Sequence, residues 1–245
     1  MRIDAVHQVL DTEVTAARRR RGGQAPQVLD VGGGSGGWAV PLARAGCLVT
    51  VVDSSPDSLA TLQRRAEEAG VAARITAVQG DADALADLVP SGGADLVLGH
   101  GVLEVVDDVT TAVTALAEAT APGGAISVLV ANRYGAVLGR ALAGRITEAR
   151  RLLSDTDGCL GEQDSLQRRF DSECLTALLT RAGLQVEVLQ GHGVLGDLVP
   201  GVVLEHAPGG AEALAELELA AATRPPLRDI ATRLHALARK PGHTG

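Results

Sequence analysis

The residues best suited to chemistry open with a glycine turn. Gly32-Gly33-Gly34-Ser35-Gly36-Gly37 follows the apolar run Val28-Leu29-Asp30-Val31. Glycines at such a place let the backbone turn sharply and come close to a ligand. Gly32, Gly34 and Gly37 also satisfy the G-x-G-x-x-G spacing of dinucleotide-binding loops. The turn alone therefore admits an NAD-dependent oxidoreductase, a non-catalytic nucleotide-binding protein or an enzyme with another nucleoside cofactor.

The neighbouring acids separate these readings. Asp30 stands two residues before the first glycine, where a carboxylate would repel a pyrophosphate. It would attract S-adenosylmethionine, which carries an ammonium and a sulfonium and no phosphate. Asp53, with Ser54 beside it, closes the second apolar run about 20 residues after the loop, a spacing suited to ribose hydroxyls. Asp81 in Gly80-Asp81-Ala82 follows the third run, and His100-Gly101 follows the fourth. Ligands bind at the carboxyl ends of such strands. The expectation is S-adenosylmethionine held by Asp30, Gly32, Gly33, Gly34, Asp53, Ser54, Asp81, Ala82 and His100.

Methyl transfer from a sulfonium is an in-line displacement with a good leaving group, so alignment in a dry pocket is the main requirement. A carboxylate acceptor needs no general base. A hydroxyl or amine acceptor does, and His100 and Glu104 are the catalytic candidates for that role. Arg133, Arg140, Arg145, Arg150 and Arg151 follow the fifth apolar run with only Glu148 among them. Arg133 and Arg140 are the candidate substrate cations, suited to an acidic small molecule or a phosphate backbone. The spacing does not place all five arginines on one helix face. His192 and His206 lack partners at ligand spacing, and no metal is expected.

These residues need a scaffold that gathers strand ends. Apolar, β-branched runs at 27–31, 48–52, 74–78, 94–98 and 125–130 alternate with helical segments at 37–45, 56–69, 82–88 and 108–120. Runs without polar alternation suit strands buried on both faces of a parallel sheet. The alternation predicts an α/β fold with a doubly wound, mostly parallel sheet, which two later strands bring to seven. A helix is expected over 1–21, ending in Arg18-Arg19-Arg20-Arg21 at a favourable pole of its dipole. Beyond Asn132 the pattern predicts one basic helix over 133–153, a polar loop over 154–167 and a helix over 171–182. A strand at 184–189, an irregular insertion at 191–226 with a helix at 211–222, and a strand at 232–238 complete it. The expected organisation is one domain, 1–245. It has an N-terminal helix in 1–23, a cofactor core in 24–131 and substrate-side insertions at 132–170 and 191–228.

The bulk composition narrows the setting. At 245 residues the chain can bury a sizeable core, but Phe170, Trp38 and Tyr134 are its only aromatic residues besides histidine. A net charge of -8 argues against a surface wholly devoted to nucleic acid. Cys47, Cys159 and Cys174 form no disulfide pattern, and no apolar run is long enough for a membrane span. A cytoplasmic protein is the expectation.

From Val28 to about Val130 the order of these pieces resembles class I S-adenosylmethionine-dependent methyltransferases, which implies a Rossmann-like, seven-stranded sheet with an antiparallel last strand. A narrower likeness lies in Gly99-His100-Gly101-Val102-Leu103-Glu104-Val105-Val106. It resembles the F-H-A-V-L-E-W motif of bacterial tRNA 5-carboxymethoxyuridine methyltransferases. The likeness extends to Asn132 with Gly135, Asp197-Leu198, Leu214-Ala215-Glu216-Leu217-Glu218 and Leu237-Ala238-Arg239-Lys240-Pro241. It implies methyl transfer to the carboxylate of a modified wobble uridine in tRNA, with an acidic small metabolite as the alternative acceptor. It further implies cofactor contacts from Gly32, Gly33, Asp53, Asp81, Ala82 and His100, and from Arg2 on the cofactor carboxylate. The chain departs from the family at Val105, where the family has Trp, and at Gly191-His192-Gly193-Val194-Leu195, where the family's G-x-R-V-F loses its Arg and Phe.

Overall fold

The structure, a computed structural model, describes residues 4–199 and 209–242. The expected cofactor residue Arg2 lies outside them. Seven strands form one sheet in the order β3-β2-β1-β4-β5-β7-β6. They are β1 (Gln27–Val31), β2 (Leu48–Asp53), β3 (Ile75–Gln79), β4 (Ala94–His100), β5 (Thr120–Ala131), β6 (Gln185–His192) and β7 (Arg233–Arg239). The first five pair in parallel, and β7 runs antiparallel to both β5 and β6. The chain leaves β1 towards β2 and β3 and returns to β4. The carboxyl ends of β1 and β4 therefore flank a topological switch point, where ligands of such sheets bind.

Two apolar layers cover the sheet. One face packs on α1 (Ala5–Arg20), α2 (Ala39–Arg44) and α3 (Pro56–Glu68) through Val6, Leu10, Leu42 and Leu62. The other packs on α4 (Leu85–Leu88), α5 (Val109–Ala119) and α8 (Ser172–Arg181) through Leu85, Leu116, Leu175 and Leu179. With so few aromatics, Leu, Val and Ala fill both layers. Local chemistry sets the helix starts: Asp4, Ser55, Asp108 and Asp171 each accept a backbone N–H of the first turn.

The expected basic helix over 133–153 is two helices, α6 (Arg133–Leu142) and α7 (Ile146–Ser154). Gly144 between them has φ of +74°, a conformation that terminates a helix and favours glycine. Asn132 caps α6 and donates its amide to the carbonyls of Asp229 and Ala231. A Cβ on Gly135 would lie 2.1 Å from the Ala231 carbonyl oxygen, so only glycine permits this docking. Asn132 and Gly135 thus fasten α6 to the segment entering β7. A further α-helix among the described residues is α9 (Gly210–Ala222).

A buried ionic knot ties the first helix to the last strand. Glu13 is 3% exposed and accepts both terminal nitrogens of Arg239, at 2.8 and 2.7 Å. Arg20 donates to the same carboxylate at 2.7 Å, and Glu187 of β6 holds the outer side of Arg239. Removing a buried charged acceptor strands its donors. Glu13→Ala should therefore lower unfolding stability by about 2 kcal/mol. Urea denaturation should show a lower midpoint with an unchanged slope.

Candidate active site at the carboxyl ends of the strands

The glycine turn leaves β1 with Gly32 donating its N–H to the Val52 carbonyl at 2.8 Å. Gly32 has φ of +66°, and a Cβ there would meet a Val102 methyl at 2.6 Å. At Gly33 a Cβ would lie 2.5 Å from Asp30 Oδ2. Gly34 donates its N–H to Asp53 Oδ2 at 2.8 Å, while Asp53 Oδ1 accepts the Ser55 N–H at 2.9 Å. The turn is thus braced by one acid beneath it and another beside it.

A cleft of about 380 Å³ opens next to this turn. Gly32, Asp53, Ser54, Asp81 and Ala82 line it, as does Gly101 after β4. Sequence reasoning missed Asp107, Val105 and Val106, which complete the far wall. Val105 is 47% exposed there, so the position of the family's Trp carries a small side chain at an open wall. The lining includes three aspartates and no lysine or arginine. Such a rim attracts a cationic ligand and repels a pyrophosphate.

Asp30, Gly33 and Gly34 stand behind this wall rather than in it. Asp30 is 1% exposed, and its Oδ2 has no hydrogen-bond partner among the described residues. Burial, aided by the nearby Asp53 carboxylate, raises its pKa to about 7. A cation bound above the turn would favour its ionised form.

His100 ends β4 and takes part in a polar chain that crosses the sheet. Its Nε2 lies 2.8 Å from Ser127 Oγ on β5, and Ser127 Oγ lies 2.9 Å from His235 Nε2 on β7. His235 Nδ1 is 3.0 Å from Gln190 Nε2 on β6. Desolvation holds His100 well below the usual histidine range and brings His235 down to about 3. Both rings are therefore neutral at pH 7. His100 Nδ1 has no partner among the described residues. Trp38, the residue after the glycine turn, packs edge-on against His100 at 4.8 Å and in a tilted stack on His7 of α1 at 4.5 Å. A single Trp beside the loop of a chain this poor in aromatics was the available sequence signal, and sequence reasoning did not use it.

Glu104 is 1% exposed; its Oε1 accepts the Ala131 N–H at 2.8 Å, and its Oε2 has no partner among the described residues. Burial raises its pKa. Its backbone carbonyl receives the N–H groups of Gln167 and Arg168, so Glu104 fastens the β4 loop to β5 and to the segment before α8. Arg233, at the start of β7, also escaped sequence reasoning. Its guanidinium approaches Gly101 and lowers the pKa of both His100 and Glu104. The two expected substrate arginines are otherwise engaged. Arg133 donates to the carbonyls of Leu152, Leu153, Asp155 and Thr156, capping the end of α7. Its donors point into the protein because α7 ends against it, a constraint absent from the local sequence. Arg140 pairs with Glu148 at 3.3 Å, across the α6–α7 hairpin. Neither lines the acid-rimmed cleft.

The donor set fits a cationic nucleoside cofactor: a turn that excludes side chains, a buried carboxylate oxygen without a partner, and an acidic rim. Comparison with known proteins agrees with it. Residues 28–124 match the family model described as a methyltransferase domain. The tRNA 5-carboxymethoxyuridine methyltransferase of Escherichia coli (strain K12) is 32% identical over 123 residues, 50% of this chain and 47% of that protein. A ubiquinone biosynthesis O-methyltransferase of Xanthomonas axonopodis pv. citri (strain 306) is 32% identical over 165 residues, 67% of this chain and 65% of that protein. The chain thus spans about half the length of the first of these relatives. Among solved structures, an S-adenosylmethionine-dependent methyltransferase of Mesorhizobium loti superposes with a TM-score of 0.61 at 17% identity, over 95% of this chain and 96% of that one. In sheet order and glycine turn the chain thus shares the fold of an S-adenosylmethionine-dependent methyltransferase, and residues 28–124 carry the match to a methyltransferase domain.

Proposed function

We propose that this chain transfers a methyl group from S-adenosylmethionine to an acidic acceptor, with the carboxylate of a modified tRNA wobble uridine as the leading candidate. The observation that carries the cofactor part is the acid-rimmed cleft beside the turn that covers the buried Asp30 carboxylate, whose Oδ2 has no partner among the described residues. When bound, the cofactor supplies an electrophilic methyl on a sulfonium. Asp53 would accept the ribose hydroxyls and Asp81 the adenine amino group, with Ser54 and Ala82 forming the wall between them. Gly32, Gly33 and Gly34 would let the amino-acid end approach the backbone, with Asp30 supplying the countercharge below. Arg2 stays a proposed grip on the cofactor carboxylate.

For the acceptor, the support is chemical. His100 is neutral and poorly basic, so it is a weak general base for a hydroxyl. A carboxylate is already ionised and needs no base. Arg233 beside Gly101 offers it a countercharge on the substrate side of the cleft. The wobble-uridine reading draws on the motif around His100 and Glu104 and on the Escherichia coli relative. A small acidic metabolite is favoured instead by one observation: Tyr134 is the only aromatic of the Phe, Tyr and Trp set with a well-exposed ring, so a base has little to stack on. The segments 132–170 and 191–228 would then close over the acceptor within a single domain.

Calorimetry should show S-adenosylhomocysteine binding and no NAD binding; tight NAD binding without S-adenosylhomocysteine binding would overturn the cofactor assignment. Asp53→Ala should weaken S-adenosylhomocysteine about 100-fold, as expected for losing two hydrogen bonds to a charged acceptor. Mass analysis of tRNA nucleosides from cells lacking the protein should show loss of the methyl ester at the wobble uridine. An unchanged profile would leave the acidic metabolite as the acceptor.

A further inference from the structure

The polar chain from Gln190 to His100 lies on one face of three neighbouring strand pairs. Gln190 is directly opposite His235 in the β6–β7 register. Ser127 is opposite Leu237, two residues from His235, and also opposite Leu98, two residues from His100. Strand alternation therefore puts all four side chains on the same face, within diagonal reach. Ser127, His235 and Gln190 are all buried.

Hydrogen-bond valence fixes the direction of this chain. With its amide nitrogen turned to His235, Gln190 can only donate there, so His235 Nδ1 must accept. The neutral His235 ring then carries its one proton on Nε2 and donates it to Ser127 Oγ. The Ser127 hydroxyl has a single proton, which goes to His100 Nε2. His100, also neutral, must hold its proton on Nδ1. That N–H is buried and has no partner among the described residues. A buried donor left unpaired is costly, which argues that a bound ligand completes it.

We infer that Gln190, His235 and Ser127 are positioning residues that lock His100 in its Nδ1–H tautomer, making it a hydrogen-bond donor to a ligand oxygen and not a proton acceptor. Only the identity of that ligand rests on the methyltransferase reading; the tautomer does not. The lock makes His100, the residue before Gly101 of the cleft wall, a donor that suits an acceptor arriving ionised. It also gives β6 and β7, remote from the glycine turn, a defined part in the site.

The tautomer is measured directly on the full chain without ligand. Two-bond proton–nitrogen correlation of the ¹⁵N-labelled protein should show His100 Nδ1 as the protonated nitrogen and Nε2 as the bare one. Finding the proton on Nε2 would overturn the inference, whatever cofactor the protein binds. Ser127→Ala should abolish the single tautomer and Ser127→Thr should restore it. A Ser127→Ala spectrum identical to the parent would contradict the relay. For ligand binding, His100→Phe should weaken S-adenosylhomocysteine about tenfold, the loss of one buried hydrogen bond. His100→Asn, whose amide places an N–H near the Nδ1 position, should recover most of that affinity. Equal losses in both variants would contradict the donor role.

Discussion

The Asp30 carboxylate occupies the space that a side chain on Gly33 would need, 2.5 Å from its Cβ position. Much of the site follows from this contact. The turn must pass directly over a buried acid, so the backbone lies close to the ligand with no side chain between them. Because Asp53 braces the same turn through Gly34, the acids of β1 and β2 are held in fixed relation. The switch point between β1 and β4 then brings Gly101 and its loop to face them.

Burial sets the charges at this centre. Asp30 is pushed towards neutrality in the absence of a cation, whereas His100 and His235 are stripped of charge by the same desolvation. Because its folded-state pKa is raised, the stability Asp30 contributes is present below the usual carboxylate range and lost as pH rises through 7. A cationic ligand offsets that loss. The site is therefore most complementary to a molecule that is positive over the turn and tolerant of neutral donors at β4. That is a different demand from the one a dinucleotide makes.

What could be read from the sequence was local. Asp30, the glycines, Asp53 and Asp81 stand at fixed offsets from strand ends, so their types and spacing placed them before any pairing was known. The strand positions were legible for the same reason, since each run is continuous and apolar. Residues joined only by sheet register were not. Ser127, Gln190 and His235 are far apart in sequence and meet because β7 inserts between β5 and β6. The Glu13–Arg239 pair spans nearly the whole chain. Arg133 looked like a free cation because its carbonyl partners belong to the far end of α7, a separate helix that begins after the Gly144 break. That break was itself readable from glycine, but helical periodicity on both sides masked it.

The central claim is that a cation binds over the buried Asp30. The most direct measurement is a carbon NMR titration of its side-chain carboxyl, with and without S-adenosylhomocysteine, whose amino-acid ammonium supplies the charge. The midpoint should lie near 7 in the free protein and clearly lower in the complex. An ordinary carboxylate midpoint in the free protein, or one that saturating ligand leaves unmoved, would contradict that claim.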